Sequence, residues 1–332
     1  MVKPSPRRRA LAAGGLGLAL GLGACAVDEA VTRQPAPDGD ALLTPWLSIN
    51  GGWRREPQRP LQPAPAGPRL MLIQPVGVAA LGDVLMVADA GARTLWRIER
   101  SRDAMTALAP FTGASAEQGT SLLLGNDLSV WVALPAEHMV VQYDARGRVV
   151  RRWRDEANAP RPVALAVPQD RGELLVGDGA SAEVIVFDPL GRARRLLAGT
   201  GGRTLQSIAA MALGTRGLYV LDRLAQQVVV LGAGGEVLEV IGENELVRPR
   251  ALAVDRSGRV FVSDDGDQRI KVFRGPRLLA SVGGIGNAPG RFGRIEALAL
   301  DGNLLYVADS VNARVQIMLV APPSMEPTGA AG

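Results

Sequence analysis

One short pattern recurs six times along this chain of 332 residues, at intervals of 42 to 45 residues. Each copy has an apolar run rich in Val and Leu, usually an Asp, a polar turn and a second apolar run. A fixed period of about 44 residues made of short strands and Gly-rich turns is typical of β-propellers, in which each repeat forms one blade. The sequence therefore predicts an all-β fold, a six-bladed β-propeller. The residues at the Asp position are Asp89, Ala133, Asp178, Asp222, Asp264 and Asp309.

The fifth repeat shows how four strands fit into one period. Apolar runs at residues 250–254, 260–263, 270–273 and 278–282 are separated by short segments rich in Gly, Asp and Pro, as in a meander of antiparallel strands. The first run of a repeat is nearly all small and apolar, which suits a strand that crowds around a central axis. We therefore expect four-stranded blades over residues 70–320.

The last repeat is short by one strand. After the apolar run at 315–320 the chain enters a small polar tail, residues 321–332, which we expect to be disordered. An open ring would leave unpaired strand edges, which promote association. We predict that an N-terminal segment supplies the missing strand and closes the ring. Residues 44–52 are the first candidate, and residues 69–73 are the second.

Two stretches, residues 258–273 and 304–317, resemble repeats of the NHL family, a group of six-bladed propellers. The resemblance covers residues 70–320. It implies a fold more than a function, because members of the family bind proteins, RNA or small molecules and a few are enzymes. Two repeats depart from the family pattern: Ala133 replaces Asp in the second, and the first has one extra residue before Trp96.

The N-terminus has the layout of an export signal. A basic start that includes Lys3 precedes an apolar stretch at residues 11–22, which is shorter than a typical membrane span. The stretch ends in Leu-Gly-Ala-Cys25, which resembles a bacterial lipobox, and Cys25 is the only cysteine of the chain. We predict a signal peptide over residues 1–24 and lipidation of Cys25. An ordinary secretory signal with a chance cysteine is the alternative.

The residues after Cys25 bear on location. In lipoproteins of Gram-negative bacteria an Asp after the cysteine favours retention at the inner membrane, so Ala26 favours the outer membrane. The proline-rich stretch at residues 54–68 is incompatible with a continuous helix or a central strand. We interpret residues 25–69 as lipid anchor, semi-extended tether and closing strand, and expect an outer-membrane lipoprotein that faces the periplasm.

Cleavage of the signal peptide would change the net charge. The 37 basic residues exceed the 33 acidic residues by four, and that excess is Lys3 and residues 7–9, all before Cys25. The mature chain is therefore neutral and lacks the basic footprint of a nucleic-acid-binding protein. We expect no nucleic-acid partner and interpret the Arg runs at 151–154 and 192–195 as solvated strands and turns.

Candidate catalytic and metal-binding groups are few. His138 is the only histidine, which excludes a zinc site built on two or three His. Lyase relatives of the NHL family use several histidines for their metal chemistry. We interpret His138 as a turn residue rather than a member of a Ser-His-Asp triad. The blade Asp residues each open a turn after a strand, where Asp accepts backbone N–H groups, and we interpret them as structural rather than as a ring of metal ligands. They are Asp89, Asp178, Asp222, Asp264 and Asp309.

The clearest break in the repeat lies where the chain enters the innermost strand. The residues there are Val76, Val163, Ile208, Arg250 and Glu296. Arg250 and Glu296 belong to adjacent blades and carry opposite charges, so both should lie near one mouth of the central channel. They form either a structural salt bridge or a site that orients a small ligand or a partner's side chain.

Two functions compete on this evidence. The first is a non-enzymatic, lipid-anchored scaffold that presents a rigid face to protein partners in the cell envelope, favoured by the neutral mature chain and the lack of a catalytic constellation. The second is a metal-dependent (calcium-type) hydrolase, lactonase or lyase with a site at the central channel, which rests on enzymes of similar fold. A calcium site would need Glu and Asn or Asp around the channel, and the innermost strands supply no such cluster. We expect no cofactor and leave calcium open.

Overall fold

The computed structural model describes residues 42–54, 68–112, 120–155, 160–168, 172–197 and 204–323 and, of residues 194–197, the backbone alone. The predicted signal peptide, Cys25, most of the proline-rich stretch and the tail beyond residue 323 lie outside these ranges. Within them the chain forms 26 strands and two single-turn 3-10 helices, at Arg100–Arg102 and Pro135–Glu137. No helix in this part of the chain is long and apolar enough to span a membrane.

Six sheets form the six blades, which confirms the predicted all-β propeller with four-stranded blades. Three strands precede the first blade: β1 (Leu43–Ile49), β2 (Gly51–Arg54) and β3 (Arg69–Met71). The later strands follow one another from the innermost to the outermost strand of each blade. Blade 1 has β4 (Pro75–Leu81), β5 (Val84–Asp89), β6 (Thr94–Glu99) and β7 (Ala104–Pro110), and blade 2 has β8 (Leu122–Leu124), β9 (Val130–Leu134), β10 (Met139–Tyr143) and β11 (Val149–Trp153). Blade 3 has β12 (Pro162–Ala166), β13 (Leu174–Asp178), β14 (Val184–Phe187) and β15 (Ala193–Leu197), and blade 4 has β16 (Ile208–Gly214), β17 (Gly217–Asp222), β18 (Gln227–Leu231) and β19 (Val237–Ile241). Blade 5 has β20 (Pro249–Val254), β21 (Arg259–Asp264), β22 (Arg269–Arg274) and β23 (Arg277–Gly283), and blade 6 has β24 (Ile295–Asp301), β25 (Leu304–Asp309) and β26 (Arg314–Val320).

Strand β1 closes the ring as the outermost strand of blade 6. It pairs with β26 in antiparallel register, from Leu43 opposite Val320 to Ile49 opposite Val315. Ile49 is buried in an apolar cluster between blades 6 and 1. The prediction that an N-terminal segment supplies the missing strand is confirmed, and β1 overlaps the first candidate, residues 44–52.

Strands β2 and β3 extend blade 1 at its outer edge to a six-stranded sheet. Strand β2 pairs in parallel with β7, and β3, the second candidate for the closing strand, pairs with β2. The N–H of Arg54 donates to the carbonyl of Pro68 at 3.3 Å, so the proline-rich stretch begins and ends at one point of the sheet. The strands on either side of residues 55–67, which lie outside the described ranges, therefore pair with each other, and residues 26–42 separate Cys25 from β1 in the sequence.

One buried apolar cluster lies between each pair of neighbouring blades. The innermost strands pack closely because their inward residues are small. A Cβ on Gly77 of β4, for example, would lie 2.6 Å from the carbonyl oxygen of Thr120 at the start of blade 2. Small residues on these strands therefore allow neighbouring blades to approach each other closely.

The ring has two distinct ends. At the end that we call the entry face, the chain enters the innermost strand of each blade, and the turn from the second to the third strand lies there too. The blade turns that follow Asp89, Asp222 and Asp264 belong to this face. The opposite end, the exit face, has the turns from first to second and from third to fourth strand, such as those at Gly82 and Leu190.

Truncation tests the closure of the ring. A chain that begins at residue 55 lacks β1 and β2, leaves β26 as a free edge and loses the burial of Leu43 and Ile49, each worth about 1.5–3 kcal/mol. We expect a lower unfolding temperature and self-association, measured by circular dichroism and light scattering. The matched control begins at residue 42. Equal stability and a monomeric state for both chains would contradict the closure.

Candidate functional site at the mouth of the central channel

The six innermost strands surround a central cavity of about 360 Å³. Its wall is mainly small and aliphatic, with Ala79, Ala166, Ala210, Ala253 and Ala297 from five blades. The volume is in the range of small-molecule sites, which are mostly apolar with a few polar groups that orient the ligand. In this channel the polar groups gather at the entry face.

The five blade aspartates lie on the entry face and are between 0 and 5% exposed. Each carboxylate accepts N–H bonds from the segment that leads into the innermost strand of its own blade. Asp222, for example, accepts from Gln206 at 2.7 Å and Ser207 at 3.1 Å, and from Ala225 in the turn at 3.1 Å. The carboxylates are thus directed at the backbone. Among the described residues no three His, Cys, Asp or Glu are grouped so as to hold a metal ion.

Asp264 has a cationic partner in addition to its backbone donors. Lys271 donates to its carboxylate at 2.8 Å, and both side chains are buried. Burial raises the pKa of Asp264, but the hydrogen bond from Lys271 and the N–H groups of Val247, Arg248 and Gly266 lower it more, so that the pKa lies below its ordinary value. The ionised form of Asp264 therefore stabilises the native state.

His138 lies at the end of the turn of blade 2. It has a positive φ of 53° and is exposed, and its Nδ1 lies 3.2 Å from the carbonyl oxygen of Pro160. It does not line the central cavity. Ala133, at the Asp position of the same blade, is fully buried.

Arg250 and Glu296 meet at the channel mouth. Arg250 Nη1 lies 3.0 Å from Glu296 Oε2, and Arg250 Nε lies 2.6 Å from Asp265 Oδ2. Glu296 Oε1 pairs in turn with Arg294 Nε at 3.0 Å. Burial raises the pKa of Glu296, against the lowering effect of Arg250 and Arg294. The two residues singled out in the sequence are thus each other's partners in a chain of four charges across blades 5 and 6.

The register of the innermost strands corrects one residue in the set that the sequence analysis placed at the entrance of these strands. Pro75 lies opposite Asp89 and Ile208 lies opposite Asp222, so Ile208 corresponds to Pro75 rather than to Val76. A bulge follows at this point of the strand, and the bulged residue is the one that faces the mouth. In chain order the corresponding residues are Val76, Ser121, Val163, Ala209, Arg250 and Glu296.

Two arginines that the sequence analysis missed also line the cavity. Arg161 precedes β12 and donates from Nη2 to the carbonyl of Gly179 at 3.1 Å, while its Nε is buried without a partner among the described residues. Arg223 follows Asp222 and makes no hydrogen bond or ion pair through its side chain within the described residues. Burial and nearby Arg250 lower the pKa of Arg223, yet a guanidinium stays charged near neutral pH.

A second column of the repeat contained the signal for Arg223. The residue directly after the Asp position is polar only in blades 4 to 6, where it faces the mouth. Because Arg223 and Asp265 occupy the same position of neighbouring repeats, the sequence is enough to predict that both lie at the channel mouth. In chain order the column is Ala90, Leu134, Gly179, Arg223, Asp265 and Ser310.

The fold and the charged mouth define a six-bladed propeller with a central channel, and comparisons with solved structures agree with this class. No family model and no curated protein matches the sequence. Virginiamycin B lyase from Staphylococcus aureus is similar at a TM-score of 0.55 and 10% identity, over 74% of this chain and 94% of that chain. A protein of unknown function from Bacteroides thetaiotaomicron is similar at a TM-score of 0.58 and 14% identity, over 75% of this chain and 70% of that chain.

A third structure is a histidine-to-alanine variant of the Staphylococcus lyase, described as catalytically inactive and solved with quinupristin. It is similar at a TM-score of 0.54 and 11% identity, over 74% of this chain and 94% of that chain. At such identities the likeness extends to the fold alone. The chain therefore shares a six-bladed propeller with these proteins.

Substitution of Lys271 by Met tests the buried carboxylate of Asp264. Breaking a buried ion pair on one side costs about 3–5 kcal/mol, and we expect a loss of that size near pH 7. Because the native pKa of Asp264 is lowered, its stabilisation is present above the unfolded pKa and is lost as pH falls through the native pKa. The difference in the free energy of unfolding between wild type and K271M should therefore become smaller below about pH 4.

Urea unfolding at pH 7 and pH 3.5 measures both effects. Arg256→Met, at an exposed position on the exit face, is the control and should leave stability nearly unchanged. A gap between wild type and K271M that stays constant from pH 7 to pH 3.5 would show that Lys271 does not act through the charge of Asp264.

Proposed function

We propose that this chain is a lipid-anchored propeller of the cell envelope, which acts as a non-enzymatic scaffold and binds a protein partner on its entry face. The observation that carries the proposal is the distribution of exposed apolar side chains. Seven large apolar side chains among the described residues are more than half exposed, and five of them lie on the entry face. We call these five the apolar arc: Ile73, Leu224, Val247, Ile285 and Val311.

The apolar arc follows neighbouring blades around the charged mouth, from blade 4 through blades 5 and 6 to blade 1. Gln226, in the turn that contains Leu224, donates to the carbonyl of Val247 at 2.6 Å and so links blades 4 and 5. An apolar patch rimmed by polar groups marks protein–protein interaction sites. This arrangement supports a protein partner for the entry face.

The entry face is also well ordered by its hydrogen bonds. The N–H of Ile73 donates to the carboxylate of Asp89 at 2.8 Å, and the N–H of Val247 donates to Asp264 at 2.8 Å. Two members of the apolar arc are thus held by buried carboxylates. A preorganised surface loses less entropy on association, as a scaffold requires.

The path of the chain supports an orientation for the anchored protein. Strand β1 starts at Leu43, opposite Val320, which is at the exit face of blade 6. The 17 residues from 26 to 42 span at most about 60 Å when extended. With Cys25 anchored in the periplasmic leaflet of the outer membrane, the exit face is nearer the membrane, and the entry face is available to a partner in the periplasm.

The enzymatic alternative has less support from this chain's own residues. In the Staphylococcus lyase a variant that lacks one histidine is described as inactive, whereas His138 of this chain lies away from the channel. Membership of the NHL family remains part of the proposal. Metal analysis of native-purified protein separates the two functions: stoichiometric calcium or another divalent ion would support the metal-dependent hydrolase or lyase, and metal-free protein would support the scaffold.

A photo-reactive residue at Gln226 on the entry face should capture one defined envelope protein in cells. The matched probe at Thr215, which is exposed on the exit face, should not capture it. Replacing Leu224 and Val311 by Ser should weaken binding of the partner about thirty-fold and reduce the crosslink accordingly, because each substitution removes apolar contact worth about 1 kcal/mol. The control pair Val150→Ser and Leu190→Ser lies outside the entry face. Equal loss in the control pair would contradict the assignment.

Cys25→Ser tests the anchor independently of the partner. We expect the wild-type protein to fractionate with membranes and to incorporate labelled palmitate, and the variant to do neither. The propeller itself should keep its unfolding temperature, since 17 residues lie between Cys25 and the start of β1 at Leu43. Retention of the variant in washed membranes would argue against lipidation as the means of attachment.

A further inference from the structure

We propose that the channel mouth binds a small amphipathic acid. Its anionic head, a carboxylate or a phosphate, contacts Arg161 and Arg223, and its apolar part enters the channel. This site is distinct from the apolar arc, which surrounds the mouth on the outer surface of the entry face. The proposal for this site rests on the residues of the channel and does not require the protein partner.

The charges at the mouth do not balance. Two carboxylates are present, and both are engaged: Asp265 by Arg250, and Glu296 by Arg250 and Arg294. The side chains of Arg161 and Arg223 make no direct ion pair with a carboxylate of the described residues; Asp265 and Glu296 are near enough to act on the charge of Arg223, but both are already paired with other arginines. The groups described here leave a net charge of +2, since Arg161, Arg223, Arg250 and Arg294 stand against Asp265 and Glu296.

Two unsatisfied donors point to a ligand with acceptor oxygens. The Nε of Arg161 and the Oγ1 of Thr120 are buried and have no hydrogen-bond partner among the described residues. Thr120 is 4% exposed, and both residues line the cavity. A buried polar group that is left unpaired destabilises the protein. A carboxylate or phosphate at the mouth would accept from these donors, and guanidinium groups match the geometry of both anions.

The channel wall below the mouth is lined by apolar side chains, which suit the apolar tail of such a ligand. From Thr120 the lining continues through Leu122 and Leu124, and the facing strands present Ala210 and Ala253. Each methylene of a ligand that leaves water for this wall contributes favourably to binding. A charged head without a tail would bind through the arginines alone, and a neutral tail would bind through the apolar wall alone. The site should therefore prefer molecules that have both parts.

Calorimetric titration of the lipid-free protein, expressed from residue 26, tests the site. Octanoate and octyl phosphate supply the two head groups, octanamide supplies the tail without charge, and acetate supplies the charge without the tail. We expect octanoate or octyl phosphate to bind at least ten-fold more tightly than octanamide and acetate. The preference should weaken at high ionic strength, and the tighter of the two acids identifies the head.

The variant R161Q/R223Q should lose the preference for the acid over octanamide and keep the weak binding of the amide. The control variant R102Q/R256Q removes two exposed arginines of the exit face and should keep the ten-fold preference. If the first double variant does not fold, the single variant R223Q decides, because its side chain makes no ion pair with the described residues. Equal affinity for acid and amide, no binding of either acid at millimolar concentration, or an unchanged preference in R161Q/R223Q would overturn the proposal.

Discussion

A buried carboxylate that accepts N–H groups from two segments of one blade is the interaction on which the entry face depends. In blade 4, Asp222 joins the segment before β16 to the turn after β17. Without the carboxylate three N–H groups would lose their acceptor, at about 1–3 kcal/mol for each that remains buried. Five blades repeat the arrangement, so the positions of both the charged mouth and the apolar arc follow from it.

Blade 2 shows why the carboxylate can be absent. Asp178 and Asp264 each accept the N–H of the residue two positions later, Ala180 and Gly266. In blade 2 the residue two positions after Ala133 is Pro135, which has no N–H to donate. The turn donor that blades 3 and 5 use is therefore missing in blade 2 together with its acceptor.

Features that depend on local repetition could be predicted from the sequence, and features that depend on long-range pairing or on register could not. The period of the apolar runs predicts the blades, and the missing last strand predicts β1. No local property of the proline-rich stretch predicts that the strands on either side of it, β2 and β3, pair with each other.

The channel mouth could be predicted in part. The opposite charges of Arg250 and Glu296 at one position of the repeat predicted their proximity correctly. Arg223 was missed because only the column that enters the innermost strand was compared. Periodicity also does not fix the register within a strand: only the pairing of Ile208 with Asp222 shows that Ala209, and not Ile208, is the residue of blade 4 that belongs to this column.

Ring closure by β1 has a consequence for how the chain folds. Leu43 pairs with Val320, so the first strand of the ring to be synthesised cannot pair until the last has been made. Contacts between residues so distant in sequence slow folding, because the entropy of a very large loop must be lost before the contact forms. Until that step both β1 and the edge of β26 can pair with another chain. The step that joins the two ends of the ring is thus also the step that ends the exposure of the folding protein to aggregation.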